Sequence, residues 1–140
     1  MNQTSSRTVA RRFVSLAAVA LALVSGCADA DVNINGLGFE QDTATKGESL
    51  LVKGKVETLT ELTSITFSVR DEKDAPVADS AGIKVSNNSL AKDKISWDLR
   101  GDGDVKVVTS ASTPSGKYKL RVDAKTEKKE TNETVSFTVR

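Results

Sequence analysis

The feature that most constrains the fold of this chain is an alternation of apolar and polar side chains, repeated in seven short segments between residues 50 and 139. A period of two is typical of a β-strand that buries one face and exposes the other, so we predict seven strands. The apolar positions of these segments are Leu50, Val52 and Val56; Ile65, Phe67 and Val69; Ile83 and Val85; Ile95, Trp97 and Leu99; Val105 and Val107; Tyr118, Leu120, Val122 and Ala124; and Val135, Phe137 and Val139.

Polar breaks that contain Gly, Pro, Asn or Asp separate the segments and predict turns. An eighth strand is predicted near Leu37–Gln41. Strands that are apolar on one face must bury that face against a second sheet. The sequence therefore predicts an all-β fold over residues 37–140, an antiparallel immunoglobulin-like β-sandwich of seven to eight strands. Alternation alone leaves a small closed barrel open as the alternative.

The first part of the chain has the three-part layout of a secretory signal peptide. Three arginines between residues 7 and 12 precede the apolar run Phe13–Val24, and Ser25 and Gly26 follow it. The run is too short to cross a hydrocarbon core of about 30 Å as a permanent helix. We therefore expect residues 1–26 to be an export signal.

The residues Val24, Ser25, Gly26 and Cys27 resemble the lipobox of bacterial lipoproteins, which consists of an aliphatic residue, a small residue, Gly and Cys. The resemblance implies that the Cys27 thiol receives a diacylglyceryl group. It also implies that a signal peptidase recognises Val24, Ser25 and Gly26, that it cuts before Cys27, and that the new amino terminus is acylated. Several acyl chains anchor a protein stably, because each buried methylene contributes about 0.8 kcal/mol.

The resemblance also implies a location in the cell envelope. In lipoproteins of Gram-negative bacteria, Asp directly after the lipidated cysteine favours the inner membrane, whereas this chain has Ala28 there. This favours the outer membrane if the organism is Gram-negative. Residues 27–36 are small and polar and are expected to form a lipidated N-terminus and tether before the domain at residues 37–140.

The run from Pro114 to Val122, PSGKYKLRV, resembles the penultimate strand of bacterial immunoglobulin-like and fibronectin-III-like domains. The resemblance implies that Tyr118 lies near the tyrosine corner, with its hydroxyl bonded to the backbone. Trp97 alternates with Leu99 and is expected in the core. The alternative for Trp97 is an exposed platform on which a sugar stacks.

Composition excludes several classes of function. The chain has no histidine, which excludes Ser-His and Cys-His catalysis and histidine metal sites. Its 20 basic and 19 acidic residues nearly balance, and three of the basic ones lie in the export signal. Nucleic acid is therefore not an expected partner, because phosphate binding needs a clustered basic surface. We expect no enzymatic activity, and no cofactor other than the covalent lipid on Cys27.

Two charged segments of the sequence are candidate sites. Asp98, Asp102 and Asp104 could together offer oxygen ligands to calcium, but the EF-hand spacing fails after Asp104. We expect no metal there, and instead a hairpin turn between segments 97–99 and 105–107. The mixed-charge segment Lys125–Glu133 is expected to be a solvated hairpin loop.

These observations favour a lipid-anchored protein of the cell envelope with a non-catalytic immunoglobulin-like module. The expected partners are the membrane, through the lipid, and an envelope protein or a glycan. Binding is expected at loops of one end of the sandwich or at an exposed sheet edge. The alternatives are a carbohydrate-binding or surface-adhesion module and, in another class, a calcium-dependent site or a hydrolase.

Overall fold

Nine β-strands and one 3-10 helix form the regular elements of residues 31–140, the part of the chain that the computed structural model describes. The strands are β1 (Val32–Phe39), β2 (Thr43–Ala44), β3 (Ser49–Thr58), β4 (Leu62–Asp71), β5 (Lys84–Ser86), β6 (Ser96–Asp98), β7 (Lys106–Val108), β8 (Gly116–Thr126) and β9 (Glu130–Val139), and the 3-10 helix is Asp79–Ala81. Among these residues no helix is long and apolar enough to cross a membrane. Val24, Ser25, Gly26 and Cys27 lie outside the described residues.

The strands form two sheets. One sheet has the order β1-β3-β7-β5, with β6 also paired to β3, and the other has the order β2-β9-β8-β4. All pairs are antiparallel except β2 with β9. If β1, β3, β4, β5, β7, β8 and β9 are named A to G in chain order, one sheet contains strands A, B, E and D and the other contains C, F and G. This is the arrangement of an immunoglobulin sandwich. The predicted all-β immunoglobulin-like fold is confirmed, as two sheets and not as a closed barrel.

Inward-facing side chains of both sheets form one core. Trp97 on β6 is 2 % exposed and faces Phe67 on β4 across the sandwich, with ring centroids 6.4 Å apart. The ring of Phe137 on β9 contacts the rings of Phe39 and Tyr118, at 5.3 and 5.7 Å. The core position predicted for Trp97 is confirmed.

The tyrosine corner is present at the start of β8. The Tyr118 hydroxyl donates a hydrogen bond to the carbonyl oxygen of Pro114, with an O···O distance of 2.7 Å. The side chain is buried, and this burial raises the pKa of Tyr118. The prediction from the segment's resemblance to immunoglobulin-like domains is therefore confirmed.

Two element boundaries differ from the prediction. β1 begins at Val32, within the segment 27–36 that the sequence assigned to a tether, and Val32 is buried opposite Thr58. Val32 and Ile34 do alternate with Asn residues, but the run is short and a bulge between Asn35 and Gly38 interrupts it, so the segment resembles a polar tether. At the other end of the domain, β8 and β9 extend so far that only residues 127–129 form the loop predicted over Lys125–Glu133.

The burial of Ile95 also differs from the prediction. Ile95, predicted in the core, is 57 % exposed because it precedes β6 at the end of the sheet.

Candidate functional site

A groove of about 500 Å³ opens between β4 and β5. β4 is the last strand of one sheet and β5 is the last strand of the other, so the groove is the open side of the sandwich. Its walls come from both strands and from the connection between them: Ile65, Thr66, Phe67, Ser68, Val69, Pro76, Val77, Asp79, Ile83, Lys84, Val85 and Asn87. The groove therefore combines an apolar interior with polar groups at its rim.

A tight turn after β4 explains why the groove stays open. The Asp71 carboxylate accepts hydrogen bonds from the backbone N–H groups of Lys73 and Ala75, at 2.8 and 2.9 Å. The chain then runs back beside β4, where the Val77 N–H donates to the Val69 carbonyl oxygen at 3.0 Å. The pairing is limited to Arg70 and Pro76, so this return segment forms a single bridge and not a strand. The chain then leaves β4 for the other sheet.

The outer edge of β4 is consequently covered only near its two ends. The Leu62 N–H donates to the Lys94 carbonyl oxygen at 2.9 Å, and the return segment covers the edge from Val69 onward. Between residues 63 and 68, no strand of the described chain pairs with this edge. The interior of the groove is apolar here because Ile65 and Phe67 are only partly buried and Ile83 is buried below them.

The segment with the three aspartates forms a closed loop and not a hairpin. β6 and β7 both pair antiparallel with β3, so they follow one another along that strand. The Leu99 N–H donates to the Gly54 carbonyl oxygen, the Val52 N–H donates to the Val105 carbonyl oxygen, and the Val105 N–H donates to the Leu99 carbonyl oxygen. The predicted hairpin is wrong because β3 takes the hydrogen bonds that the two segments would otherwise exchange.

Each of the three carboxylates is engaged by donors of the same loop. Asp98 accepts from the N–H groups of Arg100 and Gly101, at 2.9 and 2.7 Å. Asp102 accepts from the N–H of Asp98 at 2.9 Å. Asp104 pairs with Arg100 at 3.3 Å and with a lysine of β7 at 3.1 Å. Within residues 31–140, no group of three or more His, Cys, Asp or Glu residues is arranged to hold a metal ion.

The loop instead covers the core tryptophan. Gly103 is buried against the Trp97 ring, and a Cβ atom at position 103 would lie 2.6 Å from Cη2 of the ring. The aspartates therefore shape a loop whose glycine closes over Trp97. Because Trp97 is buried, neither face of its ring can stack on a sugar in this conformation.

One further charged pair lies on the outer face of β8. The Arg121 guanidinium donates through Nε and Nη2 to the Asp123 carboxylate, at 3.0 to 3.1 Å. The hydrogen bonds and charge of Asp123 raise the pKa of Arg121. Both side chains are half-buried, and the groove is not lined by either of them.

The comparisons with known proteins show no family. No family model matches the chain, and no curated protein matches it. Among solved structures, the chain is similar to a family 123 glycoside hydrolase from Clostridium perfringens that hydrolyses glycolipid glycans, at 13 % identity and a TM-score of 0.45. This similarity covers 78 % of this chain but only 27 % of the hydrolase chain.

Two smaller structures are also similar to the chain. One is a chimeric titin Z1Z2 carrying a peptide from decorin, with 14 % identity and a TM-score of 0.38 over 77 % of this chain and 97 % of that chain. The other is the GAE domain of GGA2p from Saccharomyces cerevisiae, with 14 % identity and a TM-score of 0.33 over 80 % of this chain and 92 % of that chain. The strand order described above, and not these similarities, defines the fold.

Proposed function

We propose that this protein is a lipid-anchored binding protein of the bacterial cell envelope, and that its immunoglobulin-like domain binds a partner in the groove between β4 and β5. The observation that carries the proposal is the apolar groove of about 500 Å³ beside a sheet edge without a paired strand. Grooves lined by apolar side chains with a few polar groups at the rim are the usual form of binding sites. The partner is a protein of the envelope, with a glycan as the second candidate.

The position of β1 supports an anchored domain. β1 begins at Val32, five residues after Cys27. Five residues span at most about 17 Å when fully extended. A lipid on Cys27 would therefore hold the Val32 end of the domain near the bilayer. The groove runs along the side of the sandwich and would remain open to partners in the surrounding compartment. Ala28 after Cys27 favours the outer membrane if the organism is Gram-negative.

The groove's chemistry favours binding over catalysis. Among the described residues that line it, Asp79 carries the only carboxylate. Hydrolysis of a glycoside usually needs two carboxylates that flank the bond. For the glycan alternative, stacking would require an aromatic face, and Phe67 is the aromatic residue that lines the groove. Its partial burial leaves little of the ring for a sugar, which favours a protein partner.

The anchor is tested by Cys27→Ser. We expect the wild-type protein to be cut before Cys27, to gain the mass of the lipid and to sediment with membranes. The variant should remain an unprocessed and lipid-free precursor, because serine cannot form the thioether. Mass spectrometry of both proteins measures this directly. A variant that is cut and released like the wild type would refute the lipobox interpretation.

The groove is tested by placing a photo-cross-linking amino acid at Thr66, which lines it, and at Thr134, an exposed position on β9. We expect irradiation of intact cells to give a discrete cross-linked product from position 66 and none from position 134. Equal products from both positions, or products from position 134 alone, would refute the groove as the binding site.

A further inference from the structure

We propose that the groove binds an extended polypeptide segment, which pairs with β4 and adds a strand to the sheet β2-β9-β8-β4. The inference rests on the proposed function, because it names the ligand chemistry of the same groove. Strand addition combines main-chain hydrogen bonds for affinity with pockets for alternate side chains.

The backbone groups of every second residue of β4 face its outer edge. The Val69 carbonyl oxygen accepts from the Val77 N–H and the Asp71 N–H donates to the Ala75 carbonyl oxygen, so these groups face the outer edge. Backbone direction repeats every two residues in a strand. The N–H and C=O groups of Ile65 and Phe67 therefore face the same edge, where no described strand pairs with them. They offer two donors and two acceptors to an added strand.

The shape of the groove also fits the side chains of an added strand. In an antiparallel pair, residues opposite one another point to the same face of the sheet. Ile65 and Phe67 point inward, so residues of an added strand opposite them would point into the groove, towards Ile83 and Val85. The open edge from residue 63 to residue 68 is about 17 Å long at a rise of about 3.3 Å per residue. It has room for two or three inward side chains, and these must be apolar.

Between residues 64 and 68, this edge lacks the features that keep sheet edges from pairing. Residues 63–68 read TSITFS and contain no charged residue, proline or glycine. Natural edge strands are usually short, bulged, charged or interrupted by proline. The other edges follow that rule, because β1 has a bulge between Asn35 and Gly38, β2 has two residues, and β5 has three residues that begin with Lys84. β4 also has a register shift, between Leu62 and Ser64, but its residues 64–68 run on without a bulge, a charge or a proline.

The occupant is a segment of another protein and not a second copy of this chain. A twofold contact between two β4 edges would be antiparallel. The edge is open only between residues 63 and 68, because Lys94 and the return segment from Ala75 to Val77 occupy the positions beside Leu62 and Val69. A second β4 runs straight for ten residues, so its ends would collide with these two covers. A short extended segment whose flanking residues turn away from the sheet avoids both covers.

The test uses the mature full-length protein in detergent and a synthetic peptide, acetyl-KTVTVTVK-amide, as the probe. Its matched control is the same peptide with N-methyl groups on the valines, which keeps the side chains but removes backbone donors. Amide hydrogen exchange is measured at Ile65 and Phe67. At a peptide concentration of about ten times Kd, the plain peptide should slow exchange at both amides about tenfold, because protection grows as 1 + [L]/Kd. The methylated peptide should give no protection.

A variant provides the reciprocal control. Ile65→Pro removes one outward N–H and takes no hydrogen bond from β8, so we expect peptide binding to be lost while the domain stays folded. If this variant unfolds, the comparison of the two peptides still decides the question.

Equal protection by both peptides would show apolar docking without strand addition and overturn the inference, while the proposed groove would stand. Protection without peptide that grows with protein concentration would identify a second copy as the occupant. No protection at all would also overturn the inference, even where cross-linking from position 66 succeeds.

Discussion

The tyrosine corner gives a prediction that isolates one hydrogen bond. Tyr118→Phe removes the hydroxyl that donates to the Pro114 carbonyl oxygen at 2.7 Å, but keeps the ring that stacks on Phe137. An intramolecular hydrogen bond contributes about 0.5–1.5 kcal/mol to stability. Pro114 is exposed, so water can reach its carbonyl group in the variant and no large penalty for a buried, unpaired acceptor arises. We therefore expect the free energy of unfolding to fall by about 1 kcal/mol.

Urea denaturation followed by the fluorescence of Trp97, the chain's single tryptophan, measures this change. A loss of about 1 kcal/mol corresponds to a fall of about 0.5 M in the urea midpoint if the slope is about 2 kcal/mol per M. It corresponds to about 4 °C in the melting temperature of a domain of this size. Lys117→Met, an exposed change on the same strand, is the control and should leave the midpoint unchanged. A Tyr118→Phe midpoint equal to that of the wild type would refute the role of the corner.

The same residue predicts a dependence on alkaline pH. Burial raises the pKa of Tyr118 above its ordinary value of 10.0, so the unfolded chain releases the phenol proton at lower pH than the folded chain. The stability that Tyr118 provides is complete below pH 10 and is lost as the pH rises through the folded pKa. The wild type should therefore lose its advantage over Tyr118→Phe in this range. Tyrosine absorbance assigns the titration, since the chain contains no other tyrosine.

Three further changes test the loops that close the domain. Gly103→Ala places a Cβ atom 2.6 Å from the Trp97 ring and should destabilise the domain by about 1–3 kcal/mol, with a red shift of tryptophan emission. Thr113→Val removes a fully buried hydroxyl that donates to the Gly82 carbonyl oxygen at 3.0 Å. Unfolding in urea should show that the free energy of unfolding falls by about 1–3 kcal/mol. Thr113→Ser keeps the hydroxyl and should recover most of this loss. Asp98→Ala removes an acceptor for two backbone N–H groups and should lower the free energy of unfolding by about 1 kcal/mol. Millimolar calcium should leave the melting temperature of the wild type unchanged. A rise of the melting temperature with calcium would contradict the loop described above.

The period-two alternation predicted the buried face of most strands. Leu120 and Val122 are fully buried, as their alternation with charged residues predicts. Successive side chains of a strand point to opposite faces of the sheet, and this does not depend on which strands lie beside it. Tyr118 and its hydroxyl contact were also predicted, because the resemblance of this segment covers the corner itself.

Strand partners could not be predicted in the same way. The Asp and Gly residues of the 98–104 segment indicated a turn correctly, but the flanking segments pair with β3 and not with each other. Turn chemistry is local, whereas pairing depends on which backbone groups of a distant strand are free.

The groove illustrates the same difference. Ile65 and Phe67 follow the same alternation as the fully buried residues of β8, yet they lie at an open edge and remain partly exposed. Whether a strand is central or at an edge depends on the order of strands in the sheet, which alternation does not encode. The residues of the candidate site could therefore be recognised as strand residues from the sequence, but not as a binding edge.

The central position of β9 has a consequence for how the chain folds as it is made. β9 lies between β2 and β8, so Thr43 gains its strand partner, Thr138, only after β9 has been made. Phe137, whose ring contacts aromatic residues of both sheets, arrives at the same time. Contacts this distant in sequence are slow to form. A chain that emerges amino terminus first would therefore lack these contacts until β9 has been made, a state suited to passage through a secretion channel if the proposed export signal operates.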